Sequence, residues 1–288
     1  MRPARRAAVA ELATIGTLAA WNFGRLRVGD RVRIPANLAT AATALGIAWA
    51  GGARGSDLGL DPARAAPGAR LGFEVAVPVV AAVGVIVALP RTRHLLADEK
   101  IHATTRGEAA FETLVRIPFE TAVAEELMFR GALVALGSRA RSRRSALLTS
   151  SCCFGIWHVV PTLGSLARGA GGESLPAPAS TVAVVAATTL AGAGLAWLRL
   201  RSDSIVAPIV VHAALNMSAF VAVRATRGRG RSQPGDAVAQ QGEREQHDDD
   251  RGDGTRVANE PIAHLVEQTL RPVGGNEQTH DRRQQRQE

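Results

Sequence analysis

The sequence predicts an all-α protein: a polytopic bundle of about six to seven transmembrane helices followed by a disordered polar tail. Three observations predict it. Apolar residues crowd into long runs between Ala7 and Val223; short Arg-rich links separate those runs; and beyond Arg224 the chain turns to Gln, Asp, Arg and Gly with few large hydrophobes. A helix needs about 20 mostly apolar residues to cross a bilayer, and the runs approach that length.

Taken in order, the basic Met1 to Arg6 stretch leads into Ala7 to Gly24, which contains Glu11 and lacks a strongly apolar centre. It does not read as a cleavable secretory signal. It reads as an amphipathic or first spanning helix, and residues 1–33 form an N-terminal unit. Ile34 to Ala50 and Leu71 to Leu89 are uninterrupted spans, closed by Gly51 and Gly52 and by Pro90 with Arg91 to Arg93. In the next stretch Glu112, Arg116 and Glu120 recur at i, i+4 and i+8 around Pro118, as on a surface helix feeding a spanning helix over Phe119 to Leu136. Ser145 to Val160, Thr181 to Leu200 and Ile205 to Val223 are further spans, ended by Pro161, the Arg199 to Arg201 turn and the tail. The bundle thus occupies 34–224 and the tail 225–288, whose one short apolar patch is Ile262 to Leu270.

The net charge of +8 does not point to nucleic acid, because the arginines cluster beside apolar runs, where lipid headgroups lie. Arg139 to Arg144 reads as a headgroup-contacting turn. Basic links on both sides of one span leave the orientation unassigned, and Pro161 to Ser180, with Arg168 its one positive charge, is the candidate non-cytoplasmic link. Gly169 to Gly172 lack the strand and helix context of a phosphate loop, so no nucleotide is expected. Cys152 and Cys153 are adjacent in an apolar run, which suits neither a disulfide framework nor a spaced metal site. His94, His102, His247, His264 and His280 read as solvated, and Asp57 to Leu60 carries no identifiable chemistry.

The informative residues are polar ones inside spans. One charge at a helix centre costs about 2.5 to 3.5 kcal/mol, and Phe119 to Leu136 carries Glu125, Glu126 and Arg130. Glu126 and Arg130 are i, i+4 in the favourable order and can neutralise each other. Glu125 lies about 100 degrees around the helix and must find its partner on another helix or take up a proton. His158 ends an apolar run, and His212 and Asn216 share one face of the last span. Each alone suits an interhelical hydrogen bond or a helix-end staple. Together a carboxylate, two imidazoles and a carboxamide are parts for activating water and stabilising a negative oxygen.

Glu125-Glu126-Leu-Met-Phe-Arg130, Phe154-Gly-Ile-Trp-His158 and His212-Ala-Ala-Leu-Asn216 resemble, in order, the three motifs of the CPBP family. That family comprises intramembrane proteases of the CAAX prenyl protease type 2 and lysostaphin resistance protein A-like kinds, and the resemblance covers about 108–223. It implies an intramembrane endopeptidase of the bacterial cell membrane acting on a membrane-associated peptide or protein, lipid-modified or not. Glu125 and His158 would activate water, His212 and Asn216 would hold the oxyanion, and Glu126 and Arg130 would be structural support. It implies no cofactor, or a divalent metal such as Zn2+ on His158, His212 and Glu125 with Glu126 as the base; Asn216 suits an oxyanion donor better than a zinc ligand. A non-catalytic immunity or scaffold protein of the same architecture, or a proton-linked transporter, would use the same residue types differently.

Overall fold

The computed structural model describes residues 2–89, 99–166 and 177–226, and among them every regular element is helical. Helices α1 (Pro3–Gly24) and α2 (Asp30–Ala50) are followed by α3 (Pro62–Ala88) and the short α4 (Glu99–Ala103). Helix α5 runs without a break through Arg106–Phe111, Glu112–Val123, Ala124–Glu126, Leu127–Leu133 and Val134–Ala140. Helices α6 (Arg143–Trp157), α7 (Val159–Leu166), α8 (Ala177–Ser202) and α9 (Val206–Thr226) complete the bundle. Among the described residues four stretches are long and apolar enough to cross a membrane, namely Pro62–Ala88, Arg143–Ser165, Pro178–Ser202 and Val206–Thr226. Helices α1, α2 and α5 stand where the sequence places them but are not among those four, because each mixes polar side chains into its apolar face. The tail beyond Thr226, the arginines at 91, 93 and 168, and His94, His247, His264 and His280 lie outside the described residues.

Local chemistry fixes the helix starts. Asp61 accepts from the Ala63 N–H at 3.0 Å ahead of Pro62, and Ser142 accepts from the Ser145 N–H at 3.2 Å. Thr105 and Glu108 close a reciprocal capping box at the start of α5. Pro118 does not end α5, since the backbone widens to i→i+5 turns over Glu112–Val123 and again over Leu127–Leu133.

In a membrane, helices associate through close packing of small residues and buried polar contacts rather than by expelling water. The core follows that rule. Ala7 and Ala10 of α1 and Ala41, Ala44 and Ala48 of α2 surround Met128, Phe129, Ala132, Leu133 and Leu136 of α5. A Cβ at Gly51 would stand 2.6 Å from both Ala10 and Leu136. At Gly72, where α3 packs along α9, it would stand 2.9 Å from the Ala207 carbonyl oxygen.

At one end of the bundle the basic link after α5 is consumed by acids from distant elements. Arg139 pairs with Asp57 at 3.0 Å, Arg141 with the buried Glu11 at 2.7 Å and Arg143 with Asp203 at 3.0 Å. These intramolecular pairs still leave the three arginine side chains partly exposed. The Asp57 loop is equally engaged. Arg199 donates to the Asp57 carbonyl at 2.7 Å, and Gly59, at φ 76°, accepts from the Ile205 N–H at 2.9 Å with its missing Cβ leaving room for the Arg199 guanidinium.

The opposite end is held by polar contacts among α1, α2 and α5. The Trp21 indole donates to Asn37 Oδ1 at 2.5 Å, and the Asn37 amide donates to the Glu120 carbonyl at 2.7 Å. Glu120, expected on a surface, is 5% exposed and faces Arg116 at 3.5 Å and Arg33 at 3.9 Å, while Arg116 also pairs with Glu112 at 2.8 Å. His102 is not simply solvated either. Its Nε2 lies 2.9 Å from the Val223 carbonyl oxygen, and Arg224 donates back to Thr104, tying α4 to the end of α9.

Candidate active site

The charged residues of α5 sit in the middle of the bundle. Glu126 and Arg130 are fully buried and paired at 3.0 Å through Arg130 Nη1 and Glu126 Oε1, one helical turn apart. Arg130 Nη2 donates to the Gly192 carbonyl of α8 at 3.1 Å, and its guanidinium lies 4.1 Å from the centroid of the Phe154 ring. One cation is thus neutralised from its own helix, hydrogen-bonded to a second and stacked on a third. That arrangement offsets the desolvation that makes an isolated buried charge costly.

His212, on α9, places Nδ1 2.8 Å from Glu126 Oε1. A carboxylate held against an arginine is an acceptor only, so the ring nitrogen facing it donates. The other nitrogen, Nε2, is 4.0 Å from Glu125 Oε2. Glu125 itself is 5% exposed and finds its partner on another helix. Its Oε1 accepts from the Trp157 indole N–H at 3.0 Å, whereas Oε2 has no hydrogen-bond partner among the described residues. One carboxylate oxygen is therefore fixed and the other is free, beside an imidazole.

His158 ends α6 directly after Trp157. Its Nδ1 lies 2.7 Å from the Phe154 carbonyl oxygen, so Nδ1 donates and Nε2 carries the lone pair in the neutral ring. Phe154 is the hub of the cluster. His158, His212 and Phe129 approach its ring edge-on at 4.7, 5.7 and 5.2 Å between centroids, and Arg130 covers it. No hydrogen bond or ion pair joins His158 to Glu125.

Asn216, one turn beyond His212, is half-buried and lines a cavity of 460 Å³ with Glu112, Ile117, Phe220, Ile101 and Thr104. It makes no side-chain hydrogen bond among the described residues. The cavity is bounded by α4, α5 and α9, at the end of the bundle away from the basic link.

The residue types available are a buried carboxylate, two imidazoles and, on the separate cavity, the Asn216 carboxamide. A buried carboxylate with one free oxygen can take a proton from water, a neutral imidazole at His158 can assist, and Asn216, or His212 with protons on both ring nitrogens, can offer an N–H to a developing negative oxygen. Glu125, His158 and His212 do not form a metal-holding group. No set of three or more His, Cys, Asp and Glu is so arranged among the described residues. No step is therefore derived through a metal.

Sequence reasoning missed Trp157 as a member of the site. It enters the sequence reading only as part of the Phe154 to His158 motif, yet it is 4% exposed and its indole N–H is spent on Glu125. The signal was its place beside His158 in the Phe154 to His158 motif.

Residues 108–218 match the family model described as type II CAAX prenyl endopeptidase Rce1-like. No curated protein and no solved structure matches the chain. The matched segment spans α5 to α9 and includes Glu125, Glu126, Arg130, Phe154, His158, His212 and Asn216. That match, over less than half of the chain, is consistent with a CPBP family intramembrane protease, and with the four apolar helices among the described residues it points to an integral membrane protein.

Proposed function

We propose that the protein hydrolyses a peptide bond of a membrane-associated or lipid-modified protein, using water activated by Glu125 and His158. The observation that carries this reading is the asymmetry of Glu125: Oε1 is held by Trp157 while the buried Oε2 is unpartnered beside His212. A buried polar atom left without a partner is costly, and Oε2 of Glu125 is one that has an imidazole beside it. Water at Oε2 would give a proton to Glu125 and its oxygen to the scissile carbonyl carbon. The carbonyl electrons would then collect on an oxygen stabilised by His212 and Asn216. Collapse of that intermediate breaks the C–N bond, and Glu125 returns its proton to the leaving amine.

Glu126 and Arg130 support this chemistry without entering it. Glu126 fixes the ring of His212 through Nδ1, and Arg130 holds Glu126 in place. A His212 that also carries a proton at Nε2 donates from both nitrogens, one to Glu126 and one to the oxyanion.

The test is peptidase activity of the purified protein in detergent against a peptide library, comparing wild type, Glu125→Gln and chelator-treated wild type. Cleavage lost in Glu125→Gln and retained with chelator is the expected result. Full activity of Glu125→Gln contradicts the proposal. Loss with chelator and recovery on adding zinc would replace the glutamate mechanism by a metal one.

A further inference from the structure

We infer that Trp157 is a positioning residue for Glu125, and that α1 and the turn just after it, which lie outside the family-matched segment, hold Trp157 in place through Asn22 and Arg25. The inference rests on the reading of Glu125 as the water-activating base. The contacts run in series. Trp157 Nε1 donates to Glu125 Oε1 at 3.0 Å, the Asn22 amide donates to the Trp157 carbonyl oxygen at 3.1 Å, and the Arg25 guanidinium lies 5.5 Å from the Trp157 ring centroid. On the inner side Phe129 meets the same ring edge-on, 5.7 Å between centroids. The indole is thus gripped by a cation from the turn just after α1 and an aromatic from α5, with its one polar atom directed at the carboxylate.

Two physical points make this more than packing. An indole has a single donor and no acceptor, so the orientation of the ring fixes where its hydrogen bond goes. A carboxylate buried in a membrane bundle rotates freely about its last torsion unless one oxygen is held, and only with Oε1 held does Oε2 face His212 rather than share time between two positions. Asn22 also acts where the backbone needs it. Trp157 is the last residue of α6, the residue four places on is Pro161, which has no N–H to offer its carbonyl, and the Asn22 amide supplies the donor. Asn22 itself is 6% exposed, so the contact is interior to the bundle.

The test compares Trp157→Phe, which keeps the ring and removes the N–H, in wild type and in a Glu125→Asp background, whose shorter carboxylate cannot reach the indole. The expected result is a fall in kcat of about 10- to 100-fold for Trp157→Phe with KM within about twofold, and no further loss in the Glu125→Asp background. Asn22→Ala, which leaves the indole intact, is expected to lower kcat about threefold, again with KM unchanged. Equal loss from Trp157→Phe in both backgrounds, or a rise in KM alone, overturns the inference. Should Trp157→Phe fail to fold, Asn22→Ala decides: wild-type kcat overturns the inference and lowered kcat at constant KM supports it. Wild-type kcat in Trp157→Phe together with an inactive Glu125→Gln refutes only this inference, whereas an active Glu125→Gln refutes the proposed function beneath it.

Discussion

Helices α3 and α5 are opposites. Helix α3 is the most apolar of the spans, yet only 11% of its apolar window is buried, and Phe73 and Val77 lie exposed along it. Helix α5 carries Glu120, Glu125, Glu126 and Arg130, and all four are buried. In a water-soluble protein the placement would be reversed. Here the surrounding solvent is hydrocarbon, so apolar side chains face out at no cost, while charged ones must be enclosed and paired. The comparison teaches that in this chain hydrophobicity marks the lipid face and polarity marks the core.

The largest expected effect tests the enclosed side of that contrast. Arg130→Met leaves Glu126 buried without its counter-ion and is expected to destabilise the protein by about 3 to 5 kcal/mol, read as a lowered unfolding temperature in detergent. On the apolar side, sensitivity is confined to the α9 contact. Gly72→Leu drives a side chain into Ala207 and Val210 and should cost about 1 to 3 kcal/mol. Val77→Leu, on the exposed face one or two turns away, should shift stability by no more than about 0.5 kcal/mol. Equal effects of Gly72→Leu and Val77→Leu would show that α3 has no specific packing face.

The smallest expected effect is local, at the solvent-exposed start of α5. The Thr105 backbone N–H and hydroxyl hold the Glu108 carboxyl below its ordinary range, with Arg224 adding to the effect. A depressed carboxyl pKa stabilises the folded form above the unfolded pKa, and that support is lost as pH falls through the folded value. Hydrogen exchange of the first turn of α5 should therefore speed up in mild acid, and in Thr105→Ala at neutral pH, while the unfolding temperature stays put.

Much of the framework was legible because it is written locally. Span limits follow from Pro, Gly and Arg at the ends of apolar runs, and the Glu126 to Arg130 pair follows from i, i+4 spacing, which the backbone realises at 3.0 Å despite its widened turns. The placement of His212 and Asn216 on one face of α9 has the same origin. What escaped depends on which helices become neighbours. The arginines at 139, 141 and 143 find acids 82, 130 and 60 residues away in sequence, so spacing along the chain could not predict them. Trp157 was hidden for the same reason, since its partner Glu125 lies 32 residues earlier on another helix. His102 likewise meets Val223 at a separation of 121 residues.

The central claim is that α5 divides its charges between two tasks, Glu126 and Arg130 holding the bundle and Glu125 acting on water. Paired measurement of unfolding temperature and peptide cleavage for Glu125→Gln and Arg130→Met tests it most directly. The account predicts that Glu125→Gln keeps the wild-type unfolding temperature within a few degrees and loses cleavage by about 100-fold or more, while Arg130→Met loses stability first. Glu125→Gln that cleaves normally, or that unfolds as readily as Arg130→Met, would contradict the division.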